Sequence, residues 1–464
     1  MLFVLGRKYS RVVASLESNG LQKARGLSSG SNALHLKPKL GLTSQVTPEN
    51  QHECIAEVVT PLLPIPYSKQ LEIKLKWCQQ VLLNFRNKLK KEMKKGTRLN
   101  MNFKLEPVKP SPITESYRNK DEFSIGMGVD GNPKTVGFFV GSPADGPVVC
   151  VGGAHLINLR PSHKAIAQVN CASRTGRILF GSNSRVQAFE DYIRSSPLPA
   201  CHDFRAGGHW RNLVVRSNED DEVMAIVQFH PQDMEHEKLE AEADKLREYF
   251  GSSGRHLSSF YFQPCRHSRC TADQAPYKLL LGEPHLVEKL GNFKFRISPD
   301  SFFQVNTAAA SVMYDTTLAL GGLGTVSILA SPNVRGAIGI ESVCSAVADA
   351  RRNAELNDVD NVEFIHGLAE KKIPNVISEL GMASEIVVVF NPGRSGLHGR
   401  VVKSACACPQ IRRVVYISCK ADNPNTMSNF VQLCSEGNFA LKQVVPVDIF
   451  PHTHHIELVM LFER

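Results

Sequence analysis

Two side chains near the end of the chain have the types that covalent catalysis uses. Val414-Val415-Tyr416-Ile417-Ser418-Cys419-Lys420 is a β-branched and aromatic run that stops at a cysteine. Such a run reads as a buried strand that delivers Cys419 to the C-terminal edge of a sheet, where α/β enzymes hold their chemistry. The second stretch, Val447 to Phe462, passes through the Pro/His-rich loop Phe450-Pro451-His452-Thr453-His454-His455 into another strand. Glu457 is the only acid within Ile-Glu-Leu-Val-Met-Leu. A carboxylate in that setting is not buried without a partner or a proton, so its pKa should rise toward that of a general base. Alone, a cysteine at a strand end is ordinarily a small hydrophobe, and a glutamate in a strand ordinarily faces solvent. A thiol and a base-like carboxylate together, with the motifs below, shift the reading of each toward a nucleophile and a general base.

The elements that must position this pair follow from the whole chain. At 464 residues the protein is too long for one core and should form two or three domains. Its 42% hydrophobic and 21% charged content are those of an ordinary globular enzyme. The net charge of +9 favours a polyanionic partner. Twelve irregularly spaced cysteines do not make a disulfide scaffold, and reduced thiols are expected. No run of about 18 apolar residues occurs, so no membrane span is expected.

The opening segment differs in kind. Arg7, Lys8, Arg11, Lys23 and Arg25 alternate with Leu, Val, Ser and Ala, and Glu17 is the only acid before Glu49. A basic, Ser-rich, acid-poor leader is the signature of a mitochondrial transit peptide, with Ala24 to Ser29 suited to processing. Residues 1–45 are therefore expected to stand outside the fold, and the protein is expected in the mitochondrial matrix. Residues 46–110 should hold a linker and a basic amphipathic helix. Within them Leu71, Leu75, Cys78, Leu82, Phe85 and Leu89 recur with helical period, and lysines and arginines populate the other face. That face suits either solvent, on a docked helix, or an RNA backbone.

Residues 111–280 read as strands and turns. Asp130-Gly131-Asn132-Pro133 marks one hairpin, and the acidic turn Asn218–Glu222 marks another. Tyr117-Arg118-Asn119-Lys120 and His209-Trp210-Arg211 place cations beside aromatics, a combination able to stack on bases and grip phosphates. Cys265-Arg266-His267-Ser268-Arg269-Cys270 has soft ligands, but no second cluster completes a metal site. From residue 281 the order becomes α/β. Gly322-Leu323-Gly324-Thr325 precedes a strand ending at Glu341, the spacing at which glycines approach a nucleotide and an acid takes its ribose hydroxyls.

Taken in order, Ser298–Asn306, Glu341, Asn391-Pro392-Gly393-Arg394-Ser395-Gly396, Ser418-Cys419-Lys420 and Phe450–Glu457 resemble the S-adenosylmethionine-dependent RNA (uracil-5-)-methyltransferases over roughly residues 110–464. The resemblance implies a class I, Rossmann-like methyltransferase domain at 281–464, behind a β-rich RNA-engaging domain and the basic helix. It implies Cys419 as nucleophile and Glu457 as the base that takes the C5 proton. Gln304, Gly322, Gly324, Glu341 and Asn391 would hold S-adenosylmethionine, and Phe302 would pack near the target base. The expected partner is RNA, either tRNA or rRNA, bound by a monomer, with no DNA, membrane or metal. Lys420 or a helix N-terminus would lower the thiol's pKa. The three loop histidines would order the loop.

Departures from the family pattern carry expectations of their own. Only fifteen residues separate Asn306 from Gly322 (322 − 306 − 1), where a helix, a connection and the first sheet strand belong. The helix from Thr307 should be cut short, with at most a short strand at Thr316–Leu320. Ser331-Pro332 should interrupt the next helix. Two other functions compete: an RNA chaperone on the same fold with a damaged cofactor site, and a cytosine-C5 methyltransferase using the same thiol.

Overall fold

The computed structural model describes residues 2–4, 46–93, 102–141, 148–168, 188–202, 207–252, 257–268, 270–321, 326–380 and 386–464. Among these, two large sheets carry the molecule, one built from the C-terminal part and one from the middle. The C-terminal sheet runs in the order Val362–His366, Ala337–Glu341, Leu2–Val4, Ile386–Phe390, Ile411–Ser418, Glu457–Glu463, Ala440–Val447, Lys104–Leu105. Ile386–Phe390 lies parallel to Ile411–Ser418, and Glu457–Glu463 lies antiparallel between Ile411–Ser418 and Ala440–Val447. This is an α/β, Rossmann-like sheet with an antiparallel strand near one side and another, Leu2–Val4, at its centre.

Burial explains why these runs are strands. All five residues of Ile386-Val387-Val388-Val389-Phe390 are buried, as a strand covered on both faces requires. Helix Pro424–Ser435 follows the cysteine strand and is started by Asn423, whose side chain accepts from the backbone N–H groups of Asn425 and Thr426, with Pro424 at the first turn. Tyr416 points from the cysteine strand into that helix. Its hydroxyl donates to Asn429 at 3.0 Å, and its ring meets Phe430 edge-on at 4.9 Å. The strand end that carries Cys419 is thus clamped from one side.

The stretch from residue 46 is not plain linker, because Gln51–Val59 is helical and buries Cys54 and Ile55 against the middle sheet. The periodic segment forms helix Tyr67–Glu92. Its buried stripe, Cys78, Val81, Leu82, Phe85 and Leu89, joins the core of the C-terminal sheet, with Phe85 edge-on to Phe430. The helix is therefore docked on the C-terminal domain. Its charged face is not wholly solvated, since Lys74 is 1% exposed.

The shortened segment after Asn306 resolves differently from expectation. The helix keeps a full span, Thr307–Ala319, with Asn306 as its cap and Thr316 and Thr317 bonding back to the carbonyls of Val312 and Met313. No strand forms at Thr316–Leu320, because those residues are spent in the last helical turn and Gly321 (φ +75) ends it. The central place between Ala337–Glu341 and Ile386–Phe390 is taken instead by Leu2–Val4, antiparallel to both neighbours. Three residues of the leader expected to stand outside the fold lie inside the sheet; the rest of it is outside the described residues. Helix Val326–Ala330 does break at Ser331-Pro332, where a 3-10 turn replaces it.

The middle sheet runs Lys278–Gly282, Ser259–Pro264, Val223–Phe229, Trp210–Ser217, Lys120–Gly126, Thr135–Val140, Val149–Val151. Both turn motifs make antiparallel hairpins. The aromatic–cation motifs in this domain are not base-stacking platforms. Trp210 is fully buried among Phe189, Tyr192 and Phe229, and His209 stacks on Phe229. Arg211 donates to the carbonyls of Cys265, His267 and Ser268. Tyr117 is buried and donates to the Pro451 carbonyl, while Arg118 pairs with Asp121 at 2.5 Å. The aromatics serve the core, and these arginines serve loop carbonyls and a buried acid. Cys265 and Cys270 are joined in a disulfide, contrary to the expectation of reduced thiols throughout. A five-residue separation brings the two Cα atoms to 6.1 Å, within bonding range.

Candidate active site

The register of one strand pair brings the two chemical side chains together. The cysteine strand and the Glu457 strand pair antiparallel, with Ser418 opposite Leu458. Carried one step on, Cys419 falls opposite Glu457. Residues directly opposite in an antiparallel pair project to the same face, with Cβ atoms about 4.5–5.5 Å apart. Asn391, which follows the neighbouring parallel strand Ile386–Phe390, reaches the same edge.

Cys419 feels the Glu457 charge, and both groups feel Arg394. Burial pushes the Cys419 thiol up to about 12, the Glu457 charge adds to the rise, and Arg394 opposes it by charge and hydrogen bond. Burial likewise pushes Glu457 up to about 8, again opposed by Arg394. Arg394 is thus a cation of this site that acts on both groups, a role that its place after Asn391-Pro392-Gly393 did not disclose. Lys420, expected to activate the thiol, pairs with Asp422 at 3.3 Å.

A glutamic acid with a pKa near 8 is protonated at neutral pH, and its basic form grows as pH rises. The rate of any step that uses Glu457 as a base should climb about tenfold per pH unit below pH 8 and then level off. Rapid-quench measurement of proton removal from pH 6 to 9 checks this. A flat profile contradicts it. The stability sign runs the other way. A carboxyl raised from 4.5 to about 8 stabilises the fold fully below pH 4.5, and that contribution is lost as pH rises through 8.

Beside this edge lies a cleft whose walls include Phe295, Phe303, Phe364 and Val343, with Glu341, Asp300 and Asp349 as acids. Glu341 ends its strand as expected, and one carboxylate oxygen accepts from the Val343 N–H at 2.9 Å and the Ser342 hydroxyl at 3.0 Å. An oriented acid beside aromatic walls fits the ribose and base of a nucleoside such as S-adenosylmethionine. Phe302 also lines this cleft and is 53% exposed, so its ring is open to a stacking partner. Gln304 and Asn391 are not part of the cleft wall. Gln304 is buried just before helix Thr307–Ala319, and its carbonyl accepts from Asn119 at 2.8 Å. Gly322 and Gly324 lie outside the described residues.

This fold and site are those of a methyltransferase. Residues 287–464 match the family model tRNA (Uracil-5-)-methyltransferase. The chain is 40% identical to the tRNA (uracil-5-)-methyltransferase homolog B of Danio rerio, covering 92% of this chain and 89% of the relative. It is 37% identical to the Homo sapiens protein of that name, covering 89% and 84%. The crystal structure of Pyrococcus abyssi tRNA (uracil-54, C5)-methyltransferase in complex with S-adenosyl-L-homocysteine shares the fold, with a TM-score of 0.59 at 20% identity over 86% of this chain and 83% of that one. The chain belongs to the S-adenosylmethionine-dependent tRNA (uracil-5-)-methyltransferase family.

Proposed function

We propose that this protein methylates C5 of a uridine in mitochondrial tRNA, or in rRNA, through a covalent adduct on Cys419. The placement of Cys419 and Glu457 side by side at one strand edge carries this reading. Glu341 and the cleft would hold S-adenosylmethionine, which would supply an electrophilic methyl group. Uracil C5 is a poor nucleophile until a thiolate adds to C6 and moves its electron pair into the ring as an enolate.

The effect of the Glu457 charge on the thiol suits this order of events. While Glu457 holds its proton, the Cys419 thiolate is spared a neighbouring negative charge. After C5 is methylated, the Glu457 carboxylate takes the remaining C5 proton. The C5–H electron pair forms the C5–C6 double bond, and the C6–S pair returns to sulfur as thiolate. Phe302 offers a stacking face to a base turned out of its helix.

Incubation with tRNA and S-adenosylmethionine, followed by nucleoside digestion and mass analysis, should yield 5-methyluridine. Appearance of 5-methylcytidine would overturn the uracil assignment. The antiparallel Leu2–Val4 strand at the centre of the sheet favours a second reading, an RNA chaperone without turnover. Absence of S-adenosylmethionine binding at millimolar concentration would select it. The basic, acid-poor leader supports the mitochondrial address, on condition that Leu2–Val4, which fills the sheet, is retained. Loss of 5-methyluridine from mitochondrial but not cytosolic RNA on deletion is the expected outcome, and the reverse pattern would refute it.

A further inference from the structure

We infer that Lys74 is a positioning residue for this reaction: through Asp448 it holds the loop before Glu457, so its loss slows proton removal more than thiol attack. The inference rests on Glu457 being the base. Lys74 and Asp448 are 1% and 0% exposed, and Nζ lies 2.6 Å from Asp448 Oδ1. The ammonium also donates to the Phe450 carbonyl at 2.9 Å, and the Phe450 N–H donates to Asp448 at 3.1 Å. The other Asp448 oxygen accepts from Tyr67 at 3.0 Å, and the Tyr67 hydroxyl accepts from the Ser111 N–H. One turn before Lys74 on the same helix face, Gln70 accepts from the His452 N–H at 2.9 Å and bonds the His452 ring at 3.0 Å.

These bonds are concentrated where the loop needs them. His452 has φ +65, a left-handed conformation that a non-glycine residue keeps only when its surroundings impose it. Leu62 supplies a third constraint by donating to the His452 carbonyl. Tyr117 fixes the Pro451 carbonyl. The loop that delivers Glu457 is therefore shaped by residues some 380 positions earlier in the chain. The cysteine sits on a separate strand, clamped by Tyr416 and Asn429. The two reacting groups have different supports, so a change in one support separates the two half-reactions. A buried lysine fully occupied by a buried aspartate and a loop carbonyl is also unavailable to an RNA phosphate.

The test compares Lys74→Met with Lys88→Met, an exposed-side change on the same helix whose amine contacts only Ser428 among the described residues. Steady-state kinetics and denaturing gels with tRNA are read together, beside Glu457→Gln as the reference for a trapped adduct. For K74M, kcat should fall roughly 10- to 100-fold. Its KM for tRNA should change less than about threefold, and denaturation-resistant RNA adduct should accumulate. K88M should turn over within about twofold of the parent. If K74M does not fold, Asp448→Asn, of the same size, gives the same readings. Loss of turnover in K74M or D448N without adduct, while E457Q traps adduct, overturns the positioning role. So does unchanged turnover. Absence of adduct in E457Q itself strikes at Glu457 as the base, a distinguishable failure.

Discussion

Cys419→Ala is expected to abolish turnover and to leave no RNA covalently held. Without sulfur at C6 the uracil ring never becomes an enolate, and C5 must meet the methyl donor unaided. Removal of a covalent nucleophile costs about four orders of magnitude or more. The fold survives the change, because Cys419 lies half-buried just past the strand end and the loss is one sulfur atom. A structural penalty of roughly 1 kcal/mol is the scale for such a site. The check is incorporation of labelled methyl into tRNA alongside the thermal midpoint. Residual turnover above one per cent with an intact fold would place the nucleophile elsewhere.

Glu457→Gln behaves differently, and the contrast is informative. Glutamine matches glutamic acid in size and, with the carboxyl pKa near 8, matches the neutral form that the resting protein holds at pH 7. Under the proposed mechanism, addition by Cys419 and methyl capture should proceed, since neither needs a carboxylate. Proton removal from C5 should not, so the cycle is expected to halt with RNA bonded to protein. Turnover falls by about 10²–10⁴, the usual contribution of a positioned general base. The pH dependence of adduct resolution disappears with the titrating group. Normal turnover in E457Q would remove Glu457 from the mechanism.

Much of this site was legible from local sequence. A β-branched run ending in cysteine, and a lone acid inside an apolar run, both declare a strand and its terminal group, because strand burial leaves a period that short windows record. Glu341 was found the same way, at the end of Ala337–Glu341. What local windows cannot record is the partner across space. Lys74 reads as one more charge on a basic helix, and only the fold reveals Asp448 against it. Trp210 and Tyr117 sit beside cations in sequence, yet their rings point into cores. Arg394 is a loop residue whose role depends on two strands that arrive much later in the chain.

The sheet's central place is the clearest case of a local reading failing. Fifteen residues between Asn306 and Gly322 had to satisfy a capped helix first, and the helix consumed them through Ala319. An unfilled strand position exposes backbone donors and acceptors on two neighbours, a strong demand for any extended segment. Leu2–Val4 answers it from the far end of the chain. No periodicity near residue 320 foretells that.

The most direct measurement is intact-mass analysis of the trapped E457Q–tRNA species, followed by peptide mapping. The account predicts protein plus tRNA plus one methylene unit, with the ring attached to the peptide that contains Cys419. An adduct lacking the methylene, or one attached at another cysteine, would contradict it.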